Sequence, residues 1–124
     1  MKDPTNPVCR TISTLLSRIG DKWTVLVVAT LGDGPRRFNE LRREIPSVSQ
    51  RMLTLTLRNL ERDGIVSRTV TPSIPPRVDY ELTALGHSLL KPITALTQWA
   101  LENVAQIHEA QARFDLEQAK AEAA

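Results

Sequence analysis

The stretch SVSQRMLTLTLRNLERDG, residues 47–64, constrains the fold of this chain more than any other. Ser49 is a good N-cap residue for an α-helix, and Gly64 suits the position that follows a helix end. Between them, apolar side chains recur at helical spacing and form one stripe: Leu53, Leu57 and Leu60. The stretch therefore predicts an amphipathic helix from Ser49 to Asp63 that packs on a core through its leucines.

The opposite face of this predicted helix has an unusual composition. It carries Arg51, Leu55, Arg58 and Arg62, with Thr54 beside them. An ordinary solvated face mixes acidic and basic side chains in i,i+4 pairs, but here the only acids, Glu61 and Asp63, come at the end of the helix. The face is typical of a surface that contacts a polyanion, although a solvated basic surface would have the same composition.

Positive charge is concentrated in the middle of the chain. The net charge of the 124 residues is +2, but residues 1–35 carry +1, residues 36–77 carry +5 and residues 78–124 carry −4. All nine basic side chains of residues 36–77 are arginines. Arginine pairs with phosphate and with guanine edges through a planar fork that lysine lacks. This distribution indicates a polyanionic partner for the middle of the chain.

A second short helix, FNELRREI, ends at Pro46 and precedes the Ser49–Asp63 helix by a three-residue connection. Two helices joined by so tight a turn form a helix–turn–helix. The next stretches, VSRTVT and VDYELT, are strand-like, and the loop between them, Pro72–Arg77, is stiffened by three prolines. A two-stranded hairpin directly after a helix–turn–helix predicts a winged-helix domain.

Helical patterns flank this region on both sides. The expected helices cover Cys9–Ile19, Lys22–Leu31, Ala84–Leu90 and Lys91–Leu116. The second of them is apolar nearly all round and is expected to be central and buried. Thr83 is expected to cap the helical region after the wing, and Pro92 to divide it. We expect residues 1–8 to be flexible and the tail LEQAKAEAA to fray.

The last helix is too long for the compact part of the chain to cover. Its apolar stripe, together with one residue of the first helix, predicts a homodimer interface formed by Ile12, Ile93, Leu96, Trp99, Ala100, Val104 and Ile107. The predicted fold class is mainly α with a small β-hairpin wing, a winged helix–turn–helix with N- and C-terminal dimerisation helices. The winged-helix domain is expected at residues 9–90 and the C-terminal dimerisation helix at residues 91–124.

The sequence argues against several classes of protein. No apolar run approaches the roughly 20 residues of a membrane helix, and the N-terminus lacks a signal-peptide core, so we expect a cytoplasmic protein without a membrane partner. The single cysteine excludes an internal disulfide. His87 and His108 have no ligand-spaced partners, so we expect neither a metal nor a cofactor. No catalytic triad, phosphate loop or HExxH motif supports an enzyme.

Five stretches of the chain resemble the HxlR-type family of bacterial winged-helix regulators, which are relatives of the MarR-like proteins. They are IGDKWTVLVV, GDGPRRFNELRREIP, SVSQRMLTLTLRNLERDGIVSR, TPSIPPRVDYELTALG and LLKPITALTQWA, and they cover Ile19–Ala100. The resemblance implies sequence-specific binding to a double-stranded DNA operator as a homodimer. It also implies control of nearby genes, by repression or activation, often in response to electrophiles, aldehydes, quinones or oxidants.

Groove geometry then assigns the expected DNA contacts. A recognition helix enters the major groove with its N-terminus first, which brings four side chains nearest the base edges: Gln50, Arg51, Thr54 and Leu55. Arginine can fork onto guanine, glutamine can pair with adenine, and threonine or leucine can touch a thymine methyl. The expected backbone contacts are Arg36, Arg37, Asn39, Ser47, Ser49, Arg58, Arg68 and Arg77. The stiff wing loop also favours insertion of its arginines into a minor groove.

Cys9 has two open interpretations. The family usually has a cysteine near the start of the first helix, commonly followed by proline, and some members use it as a redox or electrophile sensor; here Arg10 follows. A half-buried structural cysteine and a sensor thiol beside a positive side chain both fit the sequence. A small-molecule effector stays open as well. The alternative function is a winged-helix protein–protein module, against which the nine arginines of residues 36–77 argue.

Overall fold

The computed structural model describes residues 6–123 as helices and one hairpin in a winged helix–turn–helix order. The elements are α1 (Pro7–Ile19), α2 (Lys22–Leu31), α3 (Phe38–Glu44), α4 (Gln50–Arg62), β1 (Val66–Thr71), β2 (Arg77–Leu82) and α5 (Ala84–Ala123). The predicted mainly α class with a β-hairpin wing is therefore confirmed. The chain divides into two compact units between Leu90 and Lys91.

Side-chain caps fix the start of three helices. Asn6 Oδ1 accepts from Val8 N at 2.8 Å at the start of α1, and Asp21 Oδ1 accepts from Trp23 N at 2.9 Å at the start of α2. Ser49 Oγ accepts from Met52 N at 3.0 Å, which confirms the predicted cap of α4. The first helix begins at Pro7, two residues earlier than expected, because Asn6 caps it and proline suits the first helical position. Residues 1–5 of the segment predicted to be flexible lie outside the described residues.

The core of the first unit is aliphatic. Its fully buried side chains are Val27, Val28, Leu31, Leu41, Ile45, Leu53, Leu57, Leu60 and Val66. As predicted, α2 lies at the centre, in contact with α1, α3, α4 and β2, although Leu26 on its outer side stays exposed. The stripe predicted for the helix after Ser49 is buried in full, so α4 is held by its leucines and presents its opposite face outward.

The wing is tied to the helix–turn–helix through the backbone. β1 and β2 pair antiparallel, with Val66 opposite Leu82 and Thr71 opposite Arg77. The backbones of Arg36 and Tyr80 exchange two hydrogen bonds of 2.9 Å, so Arg36, two residues before α3, forms an isolated antiparallel bridge with β2. The wing therefore has a fixed position relative to the start of α3.

The segment after β2 passes close to the end of α4. Thr83 Oγ1 donates to Gly64 O at 2.6 Å and accepts from Gly86 N at 3.1 Å, which confirms the predicted cap at Thr83. Gly86 is buried, and a Cβ atom there would clash with the carbonyl oxygen of Ile65. Glycine is required at this position because backbone meets backbone.

The prediction that Pro92 divides the C-terminal helical region was wrong, as was the predicted end at Leu116. α5 is continuous over Ala84–Ala123 with Pro92 inside it. A proline removes one N–H donor and costs helix stability, yet helix formers that follow it, such as Ala95, Leu96 and Gln98, continue the helix. The tail is rich in Ala, Glu, Gln and Lys, which all favour helix whatever the sequence complexity. No helix within residues 6–123 combines the length and apolarity that a membrane crossing requires.

Candidate nucleic-acid interface

The turn between α3 and α4 presents the start of α4 at the surface. Ile45 and Val48 are buried and hold the turn on the core, while Ser47 between them has a φ of 71°. A left-handed backbone at a residue other than glycine or asparagine is uncommon, and it reverses the chain sharply here. Ser47, Ser49 and Gln50 are exposed as a result. The Ser49 hydroxyl accepts from Met52 N and keeps its own O–H as a donor for another group.

The arginine face of α4, defined as Arg51, Thr54, Leu55 and Arg58, is open to solvent along its length. Leu55 is 51% exposed although it is apolar. Within residues 6–123, neither Arg51 nor Arg58 forms an ion pair. Thr54 Oγ1 donates to Gln50 O at 2.8 Å, so its hydroxyl proton is used and its methyl group is left for contact. The face offers two unpaired guanidinium groups beside two apolar surfaces.

Arg36 and Arg37, two predicted DNA contacts, lie next to the start of α3. Arg36 precedes the helix and is half-buried, with Nε donating to Glu44 Oε2 at 2.7 Å and Nη1 donating to Gly34 O at 3.0 Å. These bonds are internal to the domain and leave Arg36 little capacity for a phosphate. Arg37 is the N-cap residue of α3, and its backbone N–H donates to Glu40 Oε1 at 2.9 Å.

Two predicted contacts at α3 remain available to a ligand. The Arg37 side chain is 52% exposed, and Asn39 is exposed on the first turn of the helix. A phosphate at the helix start would have to compete with the Glu40 carboxylate, which already satisfies one N–H there. The geometry therefore favours contact through the Arg37 guanidinium rather than through the helix terminus.

Asp79 connects the wing arginine to the start of α3. Arg77 Nε donates to Asp79 Oδ2 at 3.0 Å, and Arg37 Nε lies 4.0 Å from Asp79 Oδ1. Sequence reasoning treated Asp79 only as a polar position in an alternating strand. A signal was present nonetheless, because residues two apart on a strand lie on the same face, as Arg77 and Asp79 do. Arg68, on β1, is exposed and forms no ion pair within the described part of the chain.

The predicted dimer residues differ in exposure. Leu96 and Trp99 are each 56% exposed, Val104 and Ile107 are exposed to a smaller extent, and Ala100 is exposed. Ile93 is only 5% exposed within the single chain and has little surface left for a second copy. Phe114, 60% exposed, continues the same stripe two turns beyond Ile107, but it was not included in the predicted interface although it lies within the predicted helix.

The first helix also has an apolar face that the rest of the described chain leaves partly exposed. None of its residues is fully buried, Ile12 is half-buried, and the exposed apolar side chains are Val8, Leu15 and Leu16. Cys9 lies in the first turn, half-buried and free, with its N–H 3.4 Å from Asn6 Oδ1. These residues share one face at helical spacing, which is typical of a helix that a partner covers.

The model of the HxlR-like helix-turn-helix family matches residues 18–108. The chain belongs to this family. A helix-turn-helix-type transcriptional regulator of Methanothermobacter thermautotrophicus is 48% identical over 88 residues, which are 71% of this chain and 67% of the relative. This family membership confirms the resemblance found in the sequence.

Two solved structures of HxlR-like relatives have the same fold. The redox regulator HypR in its reduced form has a TM-score of 0.73 and 41% identity, over 80% of this chain and 98% of HypR. Diamide-treated YodB of Bacillus subtilis has a TM-score of 0.67 and 36% identity, over 78% of this chain and 96% of YodB. With the curated relatives, they confirm the predicted function, regulation of transcription through DNA binding.

Proposed function

We propose that this HxlR-like protein binds a specific double-stranded DNA operator as a homodimer, with α4 as the recognition helix in the major groove. The observation that carries the proposal is the arginine face of α4, whose two guanidinium groups are exposed and unpaired within residues 6–123. Elsewhere in the domain, Arg18, Arg36 and Arg77 are paired with carboxylates. Unpaired arginines on the face opposite the core are what phosphate and guanine recognition needs.

The side chains of this surface divide into two groups by position. Gln50, Arg51, Thr54 and Leu55 lie in the first turns of α4, the part that enters a groove, and we assign them to base edges. Ser47, Ser49, Arg58, Arg37 and Asn39 flank that part, and we assign them to phosphates. Arg68 and Arg77 of the wing extend the contact along the DNA backbone. Arg36 is assigned a structural role because its Nε and Nη1 donate to Glu44 and Gly34 within the domain.

Dimerisation is proposed through the exposed stripe of α5. An isolated chain would leave Leu96, Trp99, Val104, Ile107 and Phe114 in water. Phe114 lies five turns from Leu96, so the stripe is about 27 Å long, and burying it against a second copy removes an apolar surface that soluble monomers rarely expose. A C2 dimer also presents two copies of α4, which matches a palindromic operator.

The experiment that tests the DNA proposal starts from random-sequence duplexes. Repeated selection with the full chain should recover a two-fold symmetric sequence, and binding to it should survive an excess of unrelated DNA. Affinity should fall steeply with salt, because contacts with phosphates release counterions. Recovery of no common sequence, or binding that salt leaves unchanged, would refute the proposal.

Three matched variants sharpen this test. Arg51→Ala should cost about 1–3 kcal/mol on the selected duplex and relax the preference at one base pair. Arg58→Ala should weaken binding to all duplexes and lower the salt slope by about one. Arg113→Ala removes the same charge from α5, where Arg113 pairs with Glu109. This variant should change neither the affinity for DNA nor the salt slope.

The proposal also includes a thiol-dependent change in DNA affinity. HypR is described as a redox regulator and YodB was treated with diamide, and Cys9 of this chain is free and only half-buried. We expect diamide to change the affinity of the wild type for the selected duplex. If Cys9→Ser responds to diamide as the wild type does, Cys9 has a structural role only.

A further inference from the structure

Arg18, in the last turn of α1, is bonded to the end of α4. Its Nη1 forms an ion pair with Asp63 Oδ2 and donates to Asn59 O at 3.2 Å. The Arg18 side chain is 17% exposed and that of Asp63 is 27% exposed. A partly buried, charge-assisted contact with two acceptors is stronger and more specific in geometry than an exposed ion pair.

Both acceptors belong to the C-terminus of the recognition helix. Asp63 is the C-cap residue of α4, and Asn59 O already accepts from Asp63 N at 3.0 Å. The last carbonyls of a helix lack intrahelical partners and carry the negative end of the helix dipole, so a guanidinium group there is favourable. Arg18 therefore holds the end of α4 that lies opposite the proposed DNA-reading end.

The link adds a connection to α4 to the packing of α1 on α2. None of its residues is fully buried; Ile12 and Ile19 are half-buried. Among the ion pairs within residues 6–123, Arg18–Asp63 is the one that joins α1 to α4. This pair is a defined side-chain connection between α1 and α4.

We propose that Arg18 is a positioning residue that couples α1 to DNA recognition, an inference that rests on the proposed function. α4 has 13 residues and is about 20 Å long. A tilt of about 3° at the Asp63 end displaces the Gln50 end by about 1 Å, which is enough to break a hydrogen bond to a base edge. Phosphate contacts by flexible arginines accommodate such a shift more easily. Loss of Arg18 should therefore reduce sequence discrimination before it reduces general DNA affinity.

The experiment is a double-mutant cycle on the full chain with Arg18→Ala, Asp63→Ala and the double variant. The probes are the duplex recovered by selection and an unrelated duplex of the same length. We expect each single variant to lose about tenfold on the selected duplex, with no change in salt slope and little change on the unrelated one. The double variant should lose no more than the single variants, because the two side chains act as one unit. Arg18→Lys, which keeps the charge, should recover part of the loss.

Three results would overturn the proposal. One is an equal loss on both duplexes with a lower salt slope, which would place Arg18 on a phosphate. Another is additivity in the cycle. The third is a loss in Arg18→Lys as large as that in Arg18→Ala, since lysine keeps the charge that the pair with Asp63 uses. If Arg18→Ala does not fold, Arg18→Gln takes its place in the cycle, with the same outcomes.

A measurement without DNA separates this proposal from the proposed function. Amide hydrogen exchange in residues 59–64 should become faster in Arg18→Ala than in the wild type, because the end of α4 loses its anchor. Unchanged exchange would overturn the positioning role even if the protein binds DNA. Failure of the wild type to select a duplex would refute the proposed function and leave this measurement valid.

Discussion

Arg77 Nε donates a 3.0 Å hydrogen bond to Asp79 Oδ2 on the same face of β2, and the opposite oxygen of that carboxylate lies 4.0 Å from Arg37 Nε. One acid thus stands between two arginines that we assign to phosphates, one from the wing and one from the start of α3. A carboxylate in this place orients the two guanidinium groups and partly neutralises their charge. When DNA binds, phosphate replaces the carboxylate as their partner.

Asp79→Asn should therefore raise the affinity for unrelated DNA and lower the ratio of specific to non-specific binding. The substitution removes a charge that repels phosphate and releases two guanidinium groups. Binding to the selected and unrelated duplexes, each over a range of salt, gives both quantities. Glu81→Gln is the matched control, because Glu81 is exposed on the same strand and forms no ion pair in the described part of the chain. An identical rise in both variants would mean that only net charge matters.

Two substitutions of Ser49 separate its role as helix cap from its proposed contact with DNA. Its hydroxyl accepts from Met52 N at 3.0 Å, so Ser49→Ala should lower the free energy of unfolding by about 1 kcal/mol. Ser49→Asp keeps a cap but adds a negative charge where we place a phosphate, so it should stay stable and bind DNA more weakly. Thermal unfolding and DNA titration of both variants check this. Undiminished DNA binding by Ser49→Asp would remove Ser49 from the interface.

Local signals explain how much of this fold could be predicted. The cap at Ser49, the positive φ of 76° at Gly64 and the buried leucine stripe of α4 all depend on neighbours within a few residues, and all three were predicted. Both strands were placed to within one residue for the same reason. The arginines of residues 36–77 also indicated which face of α4 the fold leaves exposed to solvent.

Contacts that form only in the folded chain explain what the sequence could not predict. Arg36 and Arg51 are the same residue type in the same basic block, yet one bonds Glu44 and two carbonyl oxygens while the other is unpaired. The Arg18–Asp63 pair joins residues 45 positions apart. Only the packing of the helices brings such groups together, so spacing along the chain carries no trace of them. The continuity of α5 through Pro92 was missed because the rule for proline was applied without weighing the helix formers around it.

Ile107→Asp should convert the dimer into a monomer, since it puts a charge into the α5 stripe that we assign to the interface. Leu116→Asp is the control, because Leu116 is 58% exposed but points away from that stripe on the helix. Analytical ultracentrifugation of both variants decides the outcome. If the two variants assemble alike, the dimer uses another surface. The monomer should also lose most of its affinity for the symmetric duplex, which tests the link between assembly and DNA binding.

Gly86→Ala should destabilise the winged-helix unit, because the new Cβ would meet the carbonyl oxygen of Ile65 where the start of α5 crosses the chain after α4. The neighbour is backbone, so relief requires the start of α5 and the segment after α4 to separate, and a cost of about 1–3 kcal/mol is expected. Gly20→Ala is the matched control: its Cβ would lie 3.4 Å from the nearest atom, an ordinary contact, and its φ of −72° suits alanine. Denaturant unfolding of the three proteins measures the difference. A Gly86→Ala protein as stable as Gly20→Ala would show that α5 can move away from Ile65 at little cost, and the packing of the start of α5 against the segment after α4 would then be loose rather than fixed.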